Sequence, residues 1–68
     1  MGDRLVNRLR ELRAERDLTQ AGLAELVAVS RKTINTVENG VFTPSTTLAL
    51  KLARALGCTV EDIFSLEG

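Results

Sequence analysis

The stretch TQAGLAELVAVSRKTINTVENG, from Thr19 to Gly40, constrains the fold more than any other part of the chain. It holds two short apolar patterns at helical spacing, with almost nothing between them. Leu23, Ala24 and Val27 form the first stripe, and Ile34 and Val37 the second. Thr19 stands where a side chain can cap a helix running from Gln20 to about Val27, and Ser30 does the same for a helix that ends at Asn39-Gly40. Only Ala28 and Val29 remain as a link. So short a connection makes the two helices cross closely, and Ala24 supplies a small residue at the crossing. Leu23, Val27, Ile34 and Val37 then meet beneath the turn. The spacing predicts a helix-turn-helix unit.

The flanking segments offer this unit a bundle to sit on. Leu5, Leu9 and Leu12 share one face of a first helix spanning roughly Leu5 to Glu15. A loop, VFTPS, is directed by Pro44 into a fourth helix from about Thr46 to Leu56, which stops at Gly57. Thr59 caps a short fifth helix, where Asp62 completes a capping-box-like pattern and Val60, Ile63 and Phe64 face inward. No segment sustains period-two alternation. We therefore expect an all-α fold, a compact five-helix domain over residues 1–68 with no significant sheet. A terminal strand pair near residues 1–5 and 64–67 is the alternative. A chain of 68 residues buries only about 60% of its unfolded surface, so this core is small.

Composition excludes several classes of function. The chain has no His, Trp or Tyr, and its one cysteine, Cys58, cannot close a disulfide within the chain. That suits a reducing, cytoplasmic setting. Cys58, at a helix junction after Gly57, reads as a small half-buried residue rather than a redox switch. The N-terminal GDRLVNRLRELR is charged throughout, unlike a signal peptide, and no apolar run approaches a membrane span. No metal-ligand cluster, phosphate-binding glycine loop or nucleophile beside a base is present, so we expect neither an enzyme nor a cofactor or metal site.

Charge is the ambiguous quantity. Nine Lys and Arg balance nine Asp and Glu, which taken alone argues against nucleic acid. The distribution is uneven. From Val29 to Arg54 the chain has Arg31, Lys32, Lys51 and Arg54 against Glu38 alone, whereas its last stretch carries Glu61, Asp62 and Glu67 without a base. One surface can therefore be basic. In helical projection Ser30, Ile34 and Val37 point one way and Lys32, Asn35 and Thr36 the other, with Arg31 at the flank. From the residues alone this polar face is either a solvated side of a bundle or a surface for DNA.

TQAGLAELVAVSRKTINTVENG resembles the core of the lambda-repressor-like, Cro-type helix-turn-helix regulators. RLRELRAERDLTQ resembles their first helix, and TPSTTLALKLARALGCTVEDIF their last two. The likeness runs from Arg8 to Phe64 and extends to the small stand-alone repressors of that family. It implies a lambda-repressor-like domain whose third helix lies in the DNA major groove. Ser30, Arg31, Lys32, Asn35 and Thr36 match positions that commonly face bases. Arg and Lys can donate to guanine, Asn can pair with adenine, and Ser or Thr suits either. Gln20, at the start of the second helix, matches a phosphate contact that often braces the recognition helix. Asn39 matches another, and Thr43 and Ser45 can donate to phosphate from the following loop. Arg13 and Glu38 match a partly buried structural ion pair.

The resemblance also implies a homodimer. Leu48, Leu50, Ile63, Phe64 and Leu66 form a candidate patch for a second copy. Two recognition helices would then lie one DNA turn apart, about 34–36 Å, on a palindromic operator. A monomer with a few exposed leucines is the other reading. No room remains in the 68 residues for a separate effector domain, and no small-molecule ligand is evident. The expected activity is that of a DNA-binding regulator, most simply a repressor; the alternative is a protein-interaction or antitoxin-like module of the same fold. Three residues depart from the family pattern. Ala28 stands where the turn often has Gly, which puts the left-handed turn conformation in question. Gly22 replaces a common Glu, and Thr46 an apolar residue.

Overall fold

The computed structural model describes residues 3–67. Chain order is β1 (Arg4–Asn7), α1 (Leu9–Glu15), α2 (Gln20–Leu26), α3 (Arg31–Glu38), α4 (Thr46–Leu56), α5 (Val60–Ile63) and β2 (Phe64–Glu67). Four helices begin as their sequences dictate. The hydroxyls of Thr19, Ser30, Ser45 and Thr59 accept the N–H groups of Gly22, Thr33, Leu48 and Asp62. At α5 the box is complete, because the Asp62 carboxylate accepts the Thr59 N–H at 2.9 Å. That bond, together with the Thr59 hydroxyl, holds the Asp62 carboxyl below the usual carboxylate range. Gly40 and Gly57 end their helices at φ +73° and +68°, the left-handed region that glycine enters without a Cβ penalty.

The five expected helices are present, but the fold is not purely α. Arg4–Asn7 pairs antiparallel with Phe64–Glu67, in the register Arg4↔Glu67, Leu5↔Leu66, Val6↔Ser65 and Asn7↔Phe64. The first helix consequently starts at Leu9, not Leu5. Asn7 sets that boundary: its side-chain Oδ1 accepts the Leu9 N–H at 3.0 Å, so the chain turns into a helix only after it. The strand alternative thus holds in shifted form, and Met1 and Gly2 lie outside the described residues.

One apolar core joins all five helices. Leu9 and Leu12 meet Leu23, Ala24 and Val27, then Ile34 and Val37, Leu48, Leu52, Ala53 and Leu56, and finally Ile63 and Phe64. Leu5, although in a strand, still packs against the edge of this core. The α2–α3 turn closes through bonds from Ala28 N–H to Glu25 O and from Val29 N–H to Ala24 O. Ala28 sits there at φ +59°. It therefore keeps the left-handed conformation usual for Gly, at a cost of about 1–2 kcal/mol. Gly22 has a local reason to be small, since a Cβ there would lie 3.2 Å from the capping oxygen of Thr19.

Candidate nucleic-acid interface

Helix α3 buries Ile34 and Val37 and turns its other side outward. Arg31 and Lys32 are exposed in its first turn, and with half-buried Asn35 they line one open hollow. Asn35 Oδ1 accepts a hydrogen bond from Asn39 Nδ2 at 3.2 Å, and its own amide N–H groups remain to donate. Ser30 and Thr36 are placed differently. The Ser30 oxygen caps the Thr33 N–H and pairs with the Thr33 hydroxyl, while Thr36 Oγ1 donates to Thr33 O at 3.0 Å. Both hydroxyls are engaged within their own helix. Of the five candidate base readers, the fold brings Arg31, Lys32 and Asn35 together as donors.

Of the candidate phosphate contacts, Asn39 adjoins this face through its bond to Asn35. Asn39 is exposed at the end of α3, and Thr43 and Ser45 are exposed in the loop beyond it. Ser45 uses its oxygen to cap α4, which leaves its proton to donate. Gln20 is half-buried, and its Nε2 donates to Glu38 Oε1 at 3.0 Å. One arm of its amide therefore holds α3.

Glu38 is the centre of that bracing. Its side chain has 0% exposed surface. Arg13 grips both carboxylate oxygens, Nε to Oε2 at 2.6 Å and Nη2 to Oε1 at 3.2 Å, and donates Nη1 to Leu18 O at 2.8 Å. Arg10 reaches Oε1 from outside at 3.5 Å. Burial is the largest single influence on this carboxyl and pushes its pKa up. The bonds from Arg13 and Gln20 and the Arg13 charge together outweigh it, so the net shift is down. Glu38 is thus ionised, dry and fully bonded. It ties α3 to both α1 and the start of α2.

These pairs divide the charge of the chain in two. Arg4, Arg8, Arg10, Arg13 and Arg16 each stand within salt-bridge distance of a carboxylate. Among the described residues, Arg31, Lys32, Lys51 and Arg54 have no such partner. The net charge is zero, yet among the described residues the Lys and Arg side chains without a carboxylate partner all lie on α3 or α4.

The candidate dimer residues separate by burial. Leu48, Ile63 and Phe64 belong to the core of the chain itself, whereas Leu50 and Leu66 are 59% and 66% exposed. A mainly apolar hollow beside Leu50, with Leu5, Ala49 and Phe64 among its lining residues and Thr46 and Glu61 as its polar members, lies on this side. Cys58 is half-buried, and burial followed by the Asp62 charge pushes its thiol pKa up, away from thiolate reactivity. No helix among the described residues is long and apolar enough to cross a membrane. Sequence reasoning missed Asn7, which also reaches α3; the bracing role that the resemblance implies for Gln20 is met by its bond to Glu38.

Two short helices around a tight turn, with a braced second helix and an unpaired basic face, define a helix-turn-helix domain. Residues 9–63 match the helix-turn-helix family of the Cro/C1 type, and the chain belongs to it. It is 46% identical over 61 residues to an uncharacterised HTH-type transcriptional regulator of Methanocaldococcus jannaschii, covering 90% of this chain and 92% of that one. The restriction-modification controller protein C.AhdI of Aeromonas hydrophila is similar in structure, with a TM-score of 0.77 and 40% identity, over 81% of this chain and 83% of that one. The DNA-binding domain of the P22 c2 repressor gives a TM-score of 0.76 at 31% identity, over 79% and 71%.

Proposed function

We propose that this protein is a sequence-specific regulator of transcription that binds double-stranded DNA. It acts most simply as a cytoplasmic repressor, and binds as a homodimer to a palindromic operator with α3 in the major groove. The observation that carries this reading is the convergence of Arg31, Lys32 and Asn35 on one exposed face of a helix whose far end is locked. Arg and Lys offer donors to guanine O6 and N7, and the Asn35 amide offers donors to an acceptor edge. Gln20, Asn39, Thr43 and Ser45 then approach phosphates, which position the helix without specifying sequence. Lys51 and Arg54 add to the field that attracts the duplex. Leu50 and Leu66, with the apolar hollow beside Leu50, are the surface available to a second copy.

The test is an anisotropy titration of labelled DNA from the region upstream of the protein's own gene, against scrambled DNA, at several salt concentrations. A duplex selected from random sequence supplies a second target. Preferential binding that weakens with salt supports the reading, since phosphate contacts release counterions. Sedimentation of the complex should show two chains per duplex. A flat titration on every duplex at low salt would overturn it and favour a protein-interaction module on the same fold.

A further inference from the structure

Asn7 joins three parts of the fold through one side chain. Its backbone pairs with Phe64 in the terminal ribbon, and the next residue extends that pairing, Arg8 N–H donating to Ile63 O at 2.8 Å. Its Oδ1 accepts the Leu9 N–H at 3.0 Å and so starts α1. Its Nδ2 donates across thirty residues of sequence to the carbonyl of Val37, in the last turn of α3, at 3.0 Å. The two bonds fix the orientation of the amide. Turned over, it would set oxygen against the Val37 carbonyl and N–H against the Leu9 N–H.

We infer that Asn7 is a positioning residue for DNA reading, acting through α3. This rests on the proposed function. Most of what holds α3 is apolar: Ile34 and Val37 lie in the core against α2. Such contacts set the depth of a helix but are non-directional. The rotation and slide of α3 about its own axis need directional bonds. Two consecutive residues receive them. Val37 is held by Asn7 from the ribbon, and Glu38 by Arg13 and Gln20 from α1 and α2. With either tether cut, α3 can turn in its seat and carry Arg31, Lys32 and Asn35 away from the base edges. Contacts to phosphate, made by flexible side chains and a diffuse field, tolerate that turn far better.

Asn7→Asp separates the two bonds of Asn7. A carboxylate oxygen can still cap Leu9, but no donor remains for Val37. Asn7→Ser is a second route, able to cap locally and too short to span to α3. Affinity for the duplex selected by the wild type and for a scrambled duplex is measured at a temperature where circular dichroism shows each variant folded. We expect selected-site affinity to fall about tenfold in both variants, with scrambled-site affinity unchanged within about twofold. A variant that merely loosened the fold would weaken both duplexes by one factor and leave their ratio intact. An unchanged ratio in the folded variants therefore overturns the inference alone. A wild-type chain that selects no duplex removes the proposed function, and this inference with it.

Discussion

The basic residues of the first helix and those of the third obey opposite rules. Along the N-terminal segment, Arg4, Arg8, Arg10, Arg13 and Arg16 all have carboxylate partners; on α3 and α4, Arg31, Lys32, Lys51 and Arg54 have none among the described residues. The first group stands beside carboxylates of the chain itself, mostly at the exposed surface, and only its Arg13 member is held in a buried pair that ties the fold together. The second group leaves its charge for something else. A zero net charge is therefore compatible with a cationic patch at Arg31 and Lys32, while Lys51 and Arg54 line a separate hollow with Thr47 and Leu50. What matters is which cations are already neutralised, and only the folded arrangement shows that.

The sharpest way to break this contrast is to cross it, mutating one residue of each kind. Glu38→Ala strands Arg13, whose side chain is only 15% exposed, and releases Gln20 as well. We expect a loss of about 3–5 kcal/mol in urea unfolding, a large share of the total stability of a domain this small. A loss below about 1 kcal/mol would mean that the pair behaves as an exposed one. Arg31→Ala and Lys32→Ala should do the reverse. Their stability should stay within about 0.5 kcal/mol of wild type. Binding to a preferred duplex should weaken by about 1–3 kcal/mol for a base reader. A uniform loss on all duplexes, with a shallower salt slope, would reassign that residue to phosphate.

Acid probes the Glu38 side of this contrast without a change to the sequence of the outer face of α3. The folded-state pKa of Glu38 lies below its ordinary value. The stability it contributes is therefore fully present at neutral pH, above the unfolded carboxylate range near about 4.3, and is lost as pH falls through the lower folded value. Asp62, also shifted down, acts in the same direction. Glu38→Gln keeps a group of the same shape that cannot titrate. Its stability at neutral pH should be lower than wild type, and its decline between about pH 5 and pH 2 shallower. Parallel declines for the two proteins would place the acid sensitivity elsewhere.

What the sequence made legible was mostly local. Thr19, Ser30, Ser45 and Thr59 each lie three residues before the N–H they cap, so adjacent letters carry the signal. Period 3.6 revealed the buried stripes. The β1–β2 ribbon pairs four residues at each end of the chain, and four residues are too few for a period. The Leu5, Leu9, Leu12 spacing even reads as helix, because Leu5 touches the core from a strand as it would from a first turn. Arg13 and Glu38 were legible only through family likeness; nothing in twenty-five residues of separation pairs them. The candidate reading face was half legible. Outward projection selects Lys32, Asn35 and Thr36 alike, but Thr36 bends its hydroxyl back to Thr33 O. Asn7 gave no signal, since its partner on α3 lies thirty residues away.

The smallest expected effect concerns the turn that sets the two helices at their angle. Ala28 holds φ +59° in that turn, with its N–H and that of Val29 both bonded back to α2. The methyl group is what makes this conformation costly, by about 1–2 kcal/mol. Ala28→Gly removes that strain but frees the unfolded chain, which returns part of the gain. We expect a net stabilisation of about 0.5–1 kcal/mol, read as a higher urea midpoint at an unchanged slope. Ala28 is exposed and distant in role from both groups of cations, so DNA affinity should not move. A destabilised Gly variant would show that the turn is held by its neighbours strongly enough for the methyl group to cost nothing. A changed operator preference would show instead that the turn fixes the angle of α3 as directly as Asn7 and Glu38 fix its rotation.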